Sequence, residues 1–189
     1  MSPVVAVGAH ALFDTPLGPC GMAWGALGVC AVQLPEASAE ATRQRLLRHA
    51  PGCAAQALAP AAVQAAMEGV AALLSGELRD LREVVLDMAR LGDFERSVYA
   101  HVRGIAPGRT QTYGEVAQAL GSKALARAVG QAMGRNPFAP VVPCHRVLAA
   151  GPMGTGAGGF SAEGGVLTKL RLLELERTHW GPAQQGSLF

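Results

Sequence analysis

The sequence predicts an α+β chain: a first half of short strands and helices, and a mainly helical second half carrying a helix-turn-helix. Three observations predict it. Apolar runs broken by Pro and Gly open the chain ("PVVAVGAHALF", "TPLGPCGMAWGAL", "GVCAVQL") and read as strands joined by turns. Two helical stretches follow. "SAEATRQRLLRHA" has Ser38 as its N-cap, and "APAAVQAAMEGVAALLSGEL" repeats apolar positions at helical spacing until about Gly76. Beyond residue 91 the pattern is helical or looped throughout. The expected division is an amino-terminal α/β domain over 1–90, a helical domain over 91–178 and a tail over 179–189.

Composition narrows the function classes. At 189 residues and 50% apolar, the chain can bury a substantial core. Its 24 glycines and 12 prolines are spread along the chain, which argues against wholesale disorder. The opening "MSPVVAVGAHALFDTPLG" has no basic leader region, and no apolar run approaches the roughly 20 residues that span a bilayer. A cytoplasmic protein without membrane contact is expected. The four cysteines (Cys20, Cys30, Cys53, Cys144) form no CxxC pair, so free thiols are expected. Cys20, Cys30, His10 and His49 match no tetrahedral zinc spacing, and no metal is expected. Net charge is only +2, but residues 91–176 hold 9 Lys/Arg against 6 Asp/Glu while residues 1–90 hold 6 against 8. The basic second half suits phosphate contact, and equally a solvated surface.

Within that half, "LGDFERSVYAHVRGIAPG" gives a helix with Asp93 as its cap and Phe94, Val98, Val102 and Ile105 along one face, ended by Gly104 and Pro107-Gly108. "YGEVAQALGSKALARAVGQAMGRNP" gives a short helix, a turn at Gly121, and a second helix capped by Ser122 and stopped at Asn136-Pro137. Such pairs meet DNA through the second helix, and also occur as plain packing units. In "NPFAPVVPCHRV", prolines 137, 140 and 143 predict a stiff, extended lead into Cys144. "GPMGTGAGGFSAEGG" then packs seven glycines into fifteen residues. Its GxGxxG match at Gly154, Gly156 and Gly159 opens no helix and sits in no βαβ unit, so a dinucleotide site is discarded. An amphipathic helix, "GVLTKLRLLELE", ends at Glu176 before a polar tail.

A cysteine reacts as its thiolate, and a neighbouring imidazole or cation stabilises that anion. Cys144 has His145 and Arg146 beside it. Because successive side chains diverge, a bridging water or nearby carboxylate such as Glu176 has to complete a proton relay. Read alone, "PCHRV" fits a reactive thiol or a buried structural cysteine.

The order and spacing of "TYGEVAQALG", "ARAVGQAMGRNP" and "PCHRV", then a Gly-rich loop and "KLRLLELE", resemble the O6-alkylguanine-DNA alkyltransferases over residues 91–176. The likeness is looser earlier, where "TPLGP" and the strand-then-helix order look like that family's ribonuclease-H-like domain. The resemblance implies single-turnover repair. A thiolate takes the alkyl group from O6 of guanine (O4 of thymine is a further candidate), and the protein is left irreversibly alkylated. Carried over by position, Cys144 is the acceptor, His145 its base through a water, Glu176 the group orienting His145, and Asn136 the hinge bonding the Cys-His turn. Tyr113 aids nucleotide rotation and donates towards the leaving oxygen. Arg127 replaces the flipped base in the duplex, flanked by Ala126 and Ala128 on the DNA-facing helix. Met133, Val142, Val147, Phe160 and Ser161 become pocket walls, and Arg146 is structural, bonding nearby backbone. The implied partner is double-stranded DNA bound through its minor groove by a monomer, with no cofactor.

Two departures stand out. The loop between Cys144 and Lys169 is several residues longer than the family pattern, so Phe160 and Ser161 align only approximately; Pro140 stands one position late. The rival readings are a non-reacting lesion-binding relative, a thiol hydrolase using Cys144 and His145, and a helix-turn-helix regulator. The first lacks a reason for Cys144, the second lacks a separate triad histidine, and the third leaves "PCHRV" unexplained.

Overall fold

The computed structural model describes residues 8–77, 79–150 and 165–179. The amino-terminal half is a four-stranded sheet in the order β3-β2-β1-β4. Strands β1 (Ala9–Phe13), β2 (Cys20–Gly25) and β3 (Gly28–Gln33) form an antiparallel meander. The two-residue β4 (Ala54–Ala55) lies parallel to β1. Helix α1 (Ala39–His49) starts where Ser38 accepts the Ala41 N–H at 3.1 Å, as expected of that cap. It covers one face of the sheet through small side chains, with Leu46 and Ala50 over Ala23 and Ala31. The other face, with Met22, Trp24 and Val32, joins α2 (Ala61–Leu74) and the carboxy-terminal helices in one continuous core.

The carboxy-terminal half holds α3 (Asp93–Arg103), α4 (Tyr113–Ala119), α5 (Ala126–Gly134) and α6 (Val166–His179). It is not purely helical. A short parallel pair, β5 (Gln111–Thr112) with β6 (Val147–Leu148), ties the entry of α4 to the segment after Cys144. Asp93 is the first residue of α3 rather than its cap. Gly92 takes the cap position in extended backbone, and the Asp93 carboxylate pairs forward with Arg96. Ser122 caps a 3-10 turn over Lys123–Leu125, and α5 begins one step later. Between α4 and α5, Gly121 sits at φ +113°, a left-handed conformation that any side chain would strain. Among the described residues, no helix is long and apolar enough to cross a membrane.

The largest difference from expectation is "NPFAPVVP". Residues 136–142 fold into consecutive turns, with a cis peptide at Ala139-Pro140, rather than running extended. The physical reason is Asn136. Its Oδ1 accepts the Phe138 N–H at 3.0 Å and its Nδ2 donates to the Val142 carbonyl at 2.8 Å, while the Val142 N–H bonds the Phe138 carbonyl at 3.0 Å. A side chain supplies the partners that a ladder would have supplied, so the chain doubles back. Phe138 is buried edge-on against Tyr99, ring centres 6.2 Å apart, and the Tyr99 hydroxyl donates to the Ala132 carbonyl at 2.8 Å.

Candidate active site around Cys144

Cys144 opens a 3-10 turn, Cys144–Arg146, directly after Pro143, and the whole turn is buried. Its position follows from its two flanks. On one side the Asn136 turn packs into the core; on the other β6 pairs with β5, and Thr112 of β5 is also the N-cap of α4. Thr112 and Glu115 form a reciprocal capping box, Thr112 N–H to Glu115 at 2.6 Å and Glu115 N–H to Thr112 at 3.1 Å. That cap fixes the start of α4, and so fixes Tyr113 beside the Cys144 turn. The Tyr113 ring packs against α5 at Gly130, where a Cβ would lie 4.0 Å from it.

Cys144 is 4% exposed. Burial pushes its pKa up, and four influences act the other way: the Asn136 side chain, the Lys169 ammonium, and the backbone N–H groups of Cys144 and His145. The resting thiol is therefore protonated and needs a base, and the amide, the ammonium and the two N–H groups reduce, without reversing, the cost of forming the anion.

His145, wholly buried, meets Glu176 of α6 with Nε2 2.8 Å from Oε1. Glu176 also accepts from Arg146, Nη2 to Oε1 at 2.7 Å and Nε to the two oxygens at 3.0 and 3.2 Å, and from the Gly108 N–H at 3.1 Å. Burial alone would raise the Glu176 pKa, but its bonds to His145 and Arg146 outweigh that and hold it down to about 2. A carboxylate can only accept, so Nε2 of His145 carries the hydrogen. Its Nδ1 is then an unprotonated acceptor, and it is buried with no partner among the described residues. Burial is the first cause of a lowered His145 pKa, which keeps the imidazole neutral near pH 7.

Arg146 corrects its expected role in part. It does bond backbone, with Nη1 2.6 Å from the Ile105 carbonyl, but most of its donors go to Glu176. The residue that sequence reasoning missed is Lys169, 1% exposed, donating to the Val147 carbonyl at 2.6 Å and standing 5.8 Å over the Tyr113 ring. A signal for it existed. Lys169, Leu172 and Glu176 recur at helical spacing, and α6 buries all three, so its inner stripe holds two charges. Lysine is rarely buried without a partner, and here the partners are a carbonyl, a ring face and a thiol.

Asn136, Tyr113, Cys144, His145, Lys169 and Glu176 thus lie together. Met133, Val142 and Val147 are buried in the adjoining core. Arg127 is exposed on α5, with Ala126 and Ala128 half-buried beside it. Phe160 and Ser161 lie outside the described residues. In the amino-terminal half, the Cys20 sulfur lies 3.9 Å from the Thr15 hydroxyl and His10 Nδ1 lies 3.0 Å from the Cys53 carbonyl. Among the described residues, no three His, Cys, Asp or Glu side chains gather as a metal ion would require.

The family model described as the DNA-binding domain of 6-O-methylguanine DNA methyltransferase matches residues 93–178, from the first turn of α3 to the end of α6. The methylated-DNA–protein-cysteine methyltransferase of Mycobacterium bovis is 35% identical over 87% of this chain and 90% of its own. That of Mycolicibacterium paratuberculosis is 43% identical over 64% of this chain and 68% of its own. The crystal structure of the Mycobacterium tuberculosis O6-methylguanine methyltransferase covers 93% of this chain and 96% of its own at 33% identity, with a TM-score of 0.70. A structure of Mycobacterium tuberculosis OGT in complex with DNA covers 90% and 93% at 32% identity, also with a TM-score of 0.70. Identity of this extent spans both the strand-rich half and the Cys144 site, so the chain belongs to the methylated-DNA–protein-cysteine methyltransferase family.

Proposed function

We propose that this protein repairs DNA by direct reversal, moving an alkyl group from O6 of guanine to the Cys144 sulfur. In this reading the thiol proton passes through a water to His145 Nδ1, held unprotonated because Nε2–H is committed to Glu176. The thiolate attacks the alkyl carbon, the S–C bond forms as the C–O6 bond breaks, and the electron pair leaves on O6. Tyr113, beside the sulfur, donates towards that oxygen and the departing guanine ends protonated. Lys169 steadies the thiolate charge before attack. The product is a thioether with no good leaving group, so each molecule acts once.

A buried sulfur cannot enter a stacked duplex, so the nucleotide has to rotate out. Arg127, exposed on the second helix of the helix-turn-helix, fills the space left behind, and Ala126 and Ala128 allow close backbone approach. Met133, Val142 and Val147 supply an apolar wall for the base. The helix enters the minor groove, and one copy of the chain suffices. The observation that carries the reading is the buried thiol placed among groups that favour its anion, next to an imidazole whose free nitrogen is set by Glu176.

The test is a quench-flow assay with a duplex carrying one O6-methylguanine. Guanine is expected to return in proportion to protein, one lesion per molecule, with no return for Cys144→Ala. An intact lesion with reduced wild-type protein, or repeated turnover, would sink the reading.

A further inference from the structure

Arg146 sits in the site with four short bonds and no chemical task in the reaction as proposed. Three of them go to Glu176, and the shortest, at 2.7 Å, lands on Oε1, the oxygen that also accepts from His145 at 2.8 Å. The fourth pins the guanidinium to the Ile105 carbonyl at the end of α3, at 2.6 Å. Both partners of the pair are buried, Arg146 at 3% and Glu176 at 6% exposure. A buried carboxylate next to an imidazole, with no other cation, would pull a proton onto the ring. A guanidinium is never deprotonated in a protein, and its planar fork matches a carboxylate.

From this geometry we infer that Arg146 is a positioning residue for the transfer reaction: it neutralises Glu176, so that Glu176 orients His145 without converting it to imidazolium. The inference rests on the reading of His145 as the base. The groups facing the His145 ring are Glu176 and Lys169 from α6 and Cys144 and Arg146 from its own turn, with the Gly108 N–H closing the carboxylate from the α3 turn. Arg146 and Lys169 disfavour the charged ring, and only Glu176 favours it.

The sign of the pH effect follows. Removing the Arg146 charge removes one influence that lowers the His145 pKa, so imidazolium persists to higher pH and the base is lost there. The experiment is the pH–rate profile of transfer from an O6-methylguanine duplex for wild type, Arg146→Gln and Arg146→Lys. Arg146→Gln should displace the acid limb upward by about one pH unit, an approximately tenfold loss on that limb, with a smaller loss on the plateau. Arg146→Lys, which keeps the charge and loses the fork, should lower the plateau while leaving the limb near its wild-type position. A uniform loss at every pH in Arg146→Gln, with the limb unmoved, would overturn the inference. If Arg146→Gln does not fold, Arg146→Met combined with Glu176→Gln removes both charges together. Because Glu176 acts on the ring more strongly than Arg146, that double variant should show no upward displacement of the limb, and an upward displacement there would also overturn the inference. His145→Ala separates the two claims. If it reacts at the wild-type rate with the same limb, it is the assignment of His145 as base that fails.

Discussion

The amino-terminal sheet and the carboxy-terminal turn each bury cysteine, and they surround it with different groups. Cys20 of β2 is buried against apolar neighbours, with only the Thr15 hydroxyl 3.9 Å away, and burial pushes its thiol up to about 12. Cys30 of β3 is likewise pushed to about 12, first by burial and then by its neighbour Cys53. Burial raises Cys144 as well, but there an amide, an ammonium and two backbone N–H groups oppose it, and a neutral imidazole stands beside it. The lesson is that desolvation by itself makes a thiol inert. In the proposed reaction, reactivity comes from the polar groups buried with the thiol, including an imidazole nitrogen left free to take its proton.

The comparison can be broken most severely at His145. His145→Ala should slow transfer by about 10²- to 10⁴-fold, the range for loss of a positioned base, while folding persists, as read by single-turnover kinetics and circular dichroism. Next in size is Arg127→Ala, which should reduce repair of a duplex lesion by about 10²-fold, since base extrusion costs a few kcal/mol, and should spare reaction with free O6-benzylguanine. Equal losses on both substrates would remove Arg127 from base flipping. Asn136→Ala strips partners from the Phe138 N–H and Val142 carbonyl, at about 1–3 kcal/mol each, so thermal unfolding should drop by several degrees and transfer should slow. The smallest effect is expected in the sheet. Cys20→Ala should cost about 1–2 kcal/mol of stability through lost packing and leave the transfer rate unchanged.

Much of this contrast was legible in the sequence, and the misses have physical causes. The amino-terminal strand and helix signals work because Ser38, the Gly turns and the apolar spacing all act locally. The family resemblance carried by "PCHRV" and the last helix named His145 and Glu176 together, and they meet at 2.8 Å, a distance the sequence does not give. The turns over 136–142 were missed because Asn136 replaces backbone partners with its own side chain, which prolines alone do not reveal. The β5–β6 pair was missed because two-residue strands carry no periodicity, and it is held by a contact 36 residues apart along the chain. The capping box at Thr112 and Glu115 was readable and places Tyr113. Lys169 was readable too, as a charge on the buried stripe of α6, but its partners, the Val147 carbonyl and the Tyr113 ring, come from distant segments and were not.

Site-resolved alkylation measures the contrast most directly. The protein is incubated with one equivalent of a duplex carrying O6-methylguanine, digested under reducing conditions, and all four cysteine peptides are weighed by mass spectrometry. One methylene's added mass on the Cys144 peptide, with the Cys20, Cys30 and Cys53 peptides unchanged, is the predicted result. A methyl group on an amino-terminal cysteine, or spread among several, would contradict the account.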